Sequence, residues 1–357
     1  MKKSLIALAV LAASGAAMAQ SSVTLYGVAD AGVTYLNGAD NWSGVTSGNN
    51  LTSRLGFRGV EDLGGGLKAN FVIEGGFNLD NGDGASGYAG AKAGEGFQFK
   101  RQSTVGLAGN CGEVRMGREL TAAYNATARY DVFGSVGIGQ SRLWADGGVV
   151  DASANATAVT TNQRISNALT YVSPDFSGFK VGVNYGFGET TNGNSDSSYL
   201  GAGLMYDNGP LSLGLGLERL NNGLNSDATS DIDAWSLGGS YDFGVAKLLG
   251  GYRTSKVDRA TGENKRNGAY VAVTAPVGPG LVRASYNRYE NKYNGGKDKA
   301  DQFAVGYVYG LSKRTSVYGT YAYIKNKNGA NLYTLGSGGL KTNGSQQGVQ
   351  VGVSHAF

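Results

Sequence analysis

Arginine is the residue type whose placement carries the clearest chemical message in this 357-residue chain. Arg54 and Arg58 fall on one face of an alternating segment, Arg164 opens another such segment, and Arg101 falls within a third, from Phe97 to Ala108. A guanidinium stays charged at any pH a cell meets and presents five donors in a planar fork. A row of them attracts anions and orients polar solutes, but it does not exchange protons. Groups that could do catalysis are sparse. His355, the one histidine, sits among Val349, Val351 and Val353 in the last alternating segment, so a Ser-His-acid or Cys-His set has nothing to build on. Gly82-Asp83-Gly84-Ala85-Ser86-Gly87 fits the GxGxxG pattern, but no helical period follows to supply the phosphate-binding helix N-terminus. Cys111 is the only cysteine, which excludes an intrachain disulfide and any CxxC metal or redox site. Acids near Asp80 and Asp83 read as a solvated loop. No cofactor, metal or enzymatic activity is expected.

The elements that must hold these arginines come after an export signal. Met1-Lys2-Lys3, a short apolar run and Ala17-Met18-Ala19 make a secretory signal over residues 1–19, so the mature chain is expected to begin at Gln20. Removing Lys2 and Lys3 lowers the formal charge from +4 to +2, too little to suggest nucleic acid as a partner. Sixty Gly with four Pro and no G-X-Y period is not collagen, and 21 Tyr with 12 Phe favours strands. Beyond the signal, no apolar run is long enough for a helical span. An exported chain of this kind with strand-length alternation nearly throughout fits the transmembrane β-barrel class.

Sixteen alternating segments can be traced from residue 20 to residue 357, which predicts an all-β, sixteen-stranded antiparallel barrel as one domain. Tight turns with Pro, Gly or Asp mark one end. Longer polar connections, at 37–50, 80–96, 189–197, 221–231, 256–267, 291–301 and 326–345, mark the other, the asymmetry of short periplasmic turns and long outer loops. Alternation fails from 118 to 163, and the first half of that long loop is expected to fold inward and narrow the channel. In the first strand Asp30 is expected to face lumen water, while Gly27, Ala29 and Ala31 on the opposite face suggest close contact with another subunit. Leu67 to Leu79 is the cleanest strand. With its turn centred near Gly64, paired residues sum to about 128, which sets the lumen acid Glu74 beside Arg54. Arg101 shares its parity with Val105 and Leu107. Either a bulge shifts the phase or that face meets a neighbouring subunit.

Val23-Thr24-Leu25-Tyr26-Gly27, Ser53-Arg54-Leu55-Gly56-Phe57-Arg58-Gly59, Arg101-Gln102-Ser103-Thr104-Val105-Gly106-Leu107, Met116-Gly117-Arg118 and the terminal Gly352-Val353-Ser354-His355-Ala356-Phe357 resemble the trimeric Gram-negative general-diffusion porins, most closely the beta-proteobacterial, neisserial-like type. The resemblance implies a sixteen-stranded homotrimer in the outer membrane whose third outer loop folds into the lumen. It also implies contact with outer-membrane lipids and with the outer-membrane insertion machinery, for which Phe357 would be the assembly signal. Arg54, Arg101 and Arg164 stand at the family's basic cluster, which places Arg101 inside, with Arg58 on the same wall. Arg118, Glu119, Asp131 and Phe133 are expected to form the constricting side of the loop. Val132 stands where enteric relatives carry a glutamate, leaving Asp131 and Glu119 as the nearby acids. Fewer carboxylates opposite the arginines tilt such a channel for small hydrophilic solutes towards anions. A solute-preferring channel of the same architecture, or a surface adhesin, are the rival readings.

Overall fold

The structure, a computed structural model, describes residues 22–84, 96–144, 163–188, 198–221, 231–259, 262–329, 333–337, 339 and 341–357. The expected signal peptide and the Ala/Thr/Asn tract at 152–161 lie outside the described residues. The described strands are β1 (Ser22–Asn37), β2 (Asn41–Ser47), β3 (Arg54–Gly64), β4 (Leu67–Gly76), β5 (Gln102–Gly109), β6 (Gly112–Leu120), β7 (Arg164–Val172), β8 (Phe179–Gly186) and β9 (Tyr199–Asn208). They continue as β10 (Leu211–Leu220), β11 (Ile232–Asp242), β12 (Lys247–Arg259), β13 (Gly262–Val277), β14 (Gly280–Tyr293), β15 (Gly296–Gly310), β16 (Thr315–Lys327) and β17 (Ser345–Ala356).

From β3 to β17 each strand pairs antiparallel with the next, and β17 returns to β1, from Val28 opposite Ala356 to Asn37 opposite Gln347. Closure leaves no sheet edge, so every ladder group is satisfied within the wall, as hydrocarbon requires. The upper half of β1 pairs with β2 and its lower half with β3. Those two strands form one interrupted stave, so the barrel is sixteen staves round with one extra strand. Alternation sorts the faces: Val33, Tyr35, Val349 and Val351 point outward and are exposed, while Asp30, Thr34 and Gln350 point inward and are buried. Phe179, Tyr206, Tyr241, Phe243 and Tyr307 gather near the tight-turn end, the position of an interfacial girdle.

Several expected boundaries move. The connection at 37–50 contains β2, whose sequence NWSGVTS alternates too weakly to announce a strand. The connections expected at 256–267 and 291–301 are mostly strand, since β12 to β15 run on past the membrane. Most positions of those extensions are polar, and on the inner face Val257, Tyr289 and Ala300 are buried among polar neighbours, so the alternation is masked while the ladder continues beneath it. The long loop starts after Leu120 and not at 118, leaving Arg118 and Glu119 in β6. The β3–β4 register, with an irregularity between Asp62 and Gly64, lies two residues from the expected one, pairing Arg54 with Gly76 and Gly56 with Glu74. Arg101 lies at a bend just before β5, ahead of the alternating run, which lets it enter the lumen while Val105 and Leu107 stay outside.

Helix α1 (Ala122–Thr127) lies on the inner wall. Thr121 caps it by accepting from the Tyr124 amide at 3.2 Å. The wall admits the helix because glycines face it. A Cβ on Gly203, Gly214 or Gly216 would stand 2.2, 2.0 or 2.8 Å from the carbonyl oxygens of Ala122, Ala126 and Ala123. Alanines on the helix and glycines on β9 and β10 thus bring backbone against backbone.

Candidate functional site: the narrowed lumen

Past α1 the chain crosses the lumen and returns. The Tyr130 hydroxyl bonds Ser212 at 2.9 Å, and the Phe133 ring lies beneath the Arg283 guanidinium, 4.5 Å from its centroid. At the far wall Gln302 donates to the carbonyls of Ile138 (3.2 Å) and Gln140 (3.1 Å), and Gln350 accepts from the Ile138 amide at 3.4 Å. On the way back the Arg142 amide donates to the Tyr289 hydroxyl at 2.8 Å, and Trp144 packs edge-on to Tyr124 with Arg253 3.8 Å above its ring. Inward polar residues of at least five strands therefore hold the loop, and Phe133, Ile138, Leu143 and Trp144 form its buried apolar side.

What stays open beside the loop is a cavity of about 530 Å³ between residues 134–142 and a wall made by the turn before β3, the start of β3, the residues just after β4, and the start of β7. Arg54, Arg101, Arg142 and Arg164 line it together with Tyr124, Asn50, Asn78 and Gln140, and no carboxylate is among its lining residues. Glu74 stands behind two of the arginines. It is ion-paired with Arg101, lies 3.6 Å from the Arg54 Nε and accepts from the Tyr26 hydroxyl at 3.0 Å. The Arg164 Nε donates to the Arg101 carbonyl at 2.9 Å, which fixes the cluster's spacing. Burial raises the Tyr124 phenol above its ordinary range, so this ring is a neutral face of the cavity.

Arg54, Arg101, Arg164 and Glu74, grouped by the sequence, do come together at this wall, whereas other assignments need correction. Arg58 shares the lumen face but lies four residues further down β3, over the Tyr26 ring at 5.2 Å, outside the cavity. Arg118 shares the outward parity of Val114 and Met116 and donates to the Lys100 carbonyl (2.6 Å) and Ser166 hydroxyl (2.8 Å). Glu119 is buried against Arg115 at 2.7 Å, and Phe133 is buried in the wall contact, so neither meets the cavity. Asp131 faces its own loop: the amides of Phe133 (3.0 Å), Ser135 (3.0 Å) and Ser141 (2.9 Å) donate to it. Its carboxyl lies above the usual range because burial outweighs those three donors. Gly27 is covered by the chain's own Phe357, whose ring a Cβ there would meet at 2.4 Å, so its small size serves a contact within one barrel. The lone His355 faces outward, its Nδ1 2.9 Å from the Thr315 hydroxyl.

Asp30 is the largest departure. It points inward but is sealed from water, with its carboxylate accepting from the amides of Asn49 (2.8 Å), Asn50 (3.2 Å) and Leu51 (3.0 Å) and from the Tyr318 hydroxyl (2.8 Å). It thereby folds residues 48–53, the break between β2 and β3, into the cavity wall. Asn49 carries the constraint on to the long loop. Its side chain accepts from Gln350 at 2.8 Å, and its carbonyl sits where a Cβ on Gly137 would be, at 2.3 Å. Asp30→Asn would turn an amide donor towards backbone donors and is expected to cost about 1–3 kcal/mol, read as a lower unfolding temperature in detergent with noisier single-channel current. An unchanged melt and quiet current would show that the turn holds without the acid.

Arg142 was missed because it sits in the aperiodic loop. The one available signal was a lone cation in the otherwise uncharged run SVGIGQSRLW.

A closed barrel with lipid-facing apolar residues, an inward loop and a polar cationic lumen defines a membrane-spanning β-barrel channel. The chain belongs to the Gram-negative porin family, whose sequence profile matches residues 5–329. It is 45% identical to outer membrane porin protein 32 of Delftia acidovorans, with all of both chains covered. It is 34% identical to an outer membrane porin protein of Bordetella pertussis over 91% of this chain and 95% of that one. Among solved structures it resembles an anion-selective porin from Comamonas acidovorans, with a TM-score of 0.82, 40% identity, and 95% and 100% of the two chains covered. It is accordingly a porin of the Gram-negative outer membrane, a passive channel across that membrane.

Proposed function

We propose that this porin passes small hydrophilic solutes with a preference for anions, that the cavity beside the long loop is its constriction, and that it works as a homotrimer with no catalytic step. The carrying observation is the lining itself. Arg54, Arg101 and Arg164 stand on one side and Arg142 on the other, while each nearby acid is spent elsewhere: Glu74 on arginines, Asp131 on amides, Glu119 on Arg115 and Asp30 on the turn at 48–53. Low-dielectric walls concentrate the field of such a ring, so anions are enriched and cations excluded without a tight site. The solved relative described as anion-selective supports the same reading. Ala29 and Ala31, outward on β1, are offered as part of the subunit contact. Phe357 is offered as the signal to the insertion machinery.

Reversal potentials across a KCl gradient test this reading: the sign is expected to be that of chloride permeating faster than potassium. A potassium-selective sign would overturn it. A saturable block of current by one solute, at concentrations where its analogues do nothing, would favour the solute-preferring channel instead.

A further inference from the structure

Arg142 is the cation that the long loop itself brings to the cavity, across from Arg54, Arg101 and Arg164 of the wall. A side chain on an aperiodic segment keeps its place only as firmly as the backbone beneath it. That backbone is held from behind. The Arg142 amide donates to the Tyr289 hydroxyl at 2.8 Å, and the same hydroxyl donates its proton to the Gln302 side-chain oxygen, also at 2.8 Å. The Gln302 amide nitrogen then donates to the loop, at the carbonyls of Ile138 (3.2 Å) and Gln140 (3.1 Å). This relay has one arrangement: a phenol has a single proton to give, and a reversed Gln302 amide would set its oxygen against two carbonyls. Tyr289 and Gln302 are both buried, so a partner lost here leaves an unsatisfied group.

The Tyr289 ring is fixed in turn from the outer-loop side. Residues 333–337, in the connection from β16 to β17, dip inward, and the Tyr333 ring stacks on Tyr289 with centroids 5.1 Å and planes 17° apart. Barrel side chains clasp the dip. Asn326 donates to the Tyr333 carbonyl at 2.9 Å and accepts from its amide at 3.2 Å, while Gln346 accepts from the Leu335 amide at 2.7 Å and donates to the Ser337 carbonyl at 2.6 Å. Tyr333 and Leu335 join the buried apolar cluster that holds Ile138 and Leu143 of the long loop. We propose that Tyr289 is the positioning residue for Arg142 and that the clasped outer segment, through Tyr333, holds Tyr289 in place, so that ion selectivity is set in part from the outer-loop side. The inference rests on the anion-preferring reading of the cavity and adds a residue outside the cavity's own lining.

Purified porin in a planar bilayer under a KCl gradient tests this. The wild-type potential alone judges the anion preference; the positioning role is judged by differences between variants, in permeability ratio and in open-channel noise. Tyr289→Phe keeps the stacked ring and removes the hydroxyl. It is expected to lower the chloride-to-potassium permeability ratio by about threefold and to raise the noise, because a guanidinium displaced by a few ångströms loses part of its hold on a passing anion. Tyr333→Leu, which removes the stack and keeps an apolar contact, is expected to act in the same direction. In an Arg142→Gln background Tyr289→Phe should change neither reading further, the non-additivity of two residues acting through one group. An undiminished effect in that background would overturn the proposal, as would a lower unfolding temperature in detergent with ratio and noise unchanged. Wild-type ratio and noise in Tyr333→Leu would overturn the part assigned to the outer segment.

Discussion

Replacing Arg54, Arg101 and Arg164 with serine in one chain is expected to abolish the anion preference, taking the zero-current potential in a salt gradient to that of a non-selective pore. Each guanidinium acts on an ion passing within several ångströms by about 2 kcal/mol at the effective dielectric of a partly wet protein, so three removals erase most of the bias. The loss is compounded by Glu74, which is ion-paired with Arg101 and lies near Arg54. With its partners gone, its full negative charge reaches the cavity, opposed by Arg142 alone. Glu74→Gln in the otherwise unchanged chain should move the potential the other way, towards stronger anion preference. Should the triple variant keep the wild-type potential, selectivity is made outside this cavity and the assignment of the constriction falls. Unfolding temperatures in detergent separate this outcome from a collapsed lumen.

Excising residues 124–137 and rejoining the ends is expected to raise single-channel conductance severalfold. That segment contains most of α1, the wall-packed Phe133 and the stretch from Gly134 to Gly137 that closes one side of the cavity. The barrel itself keeps its closure, because every stave pairs with neighbours without help from the loop. The glycines that received the helix would then face water. Conductance equal to wild type would mean that current does not pass beside the loop.

The wall of this molecule is legible in its sequence because lipid and water impose a strict period of two on every spanning strand. Leu67 to Leu79 and the hairpins beyond residue 164 could be read directly, as could the lumen placement of Arg54 and Glu74. The remainder depends on contacts with no local period. The β3–β4 register has an irregularity beside Gly64 and lies two residues from the expected one, so Arg54 meets Glu74 diagonally and not as a rung partner. Asp30 has the alternation of a lumen residue, and only the tertiary placement of residues 48–53 turns it into a buried anchor. Asp131 and Arg142 sit in the same aperiodic loop. Their opposite fates, one bonded to its own amides and the other lining the cavity, follow from the path of the loop across the barrel. The extended strands from β12 to β15 were hidden because charge on both faces reads as loop.

The seam between β1 and β17 bears on biogenesis. Phe357 exchanges two backbone hydrogen bonds with Gly27, each 3.1 Å long, and residues 347–356 zip onto residues 28–37. The first stave therefore has no permanent partner on that side until residues 347–356 have been made. A ribosome-bound or half-exported chain cannot become a cylinder, and its unpaired borders would stick to other nascent chains. Ring closure thus depends on the contact of longest separation along the chain, the kind that forms slowly.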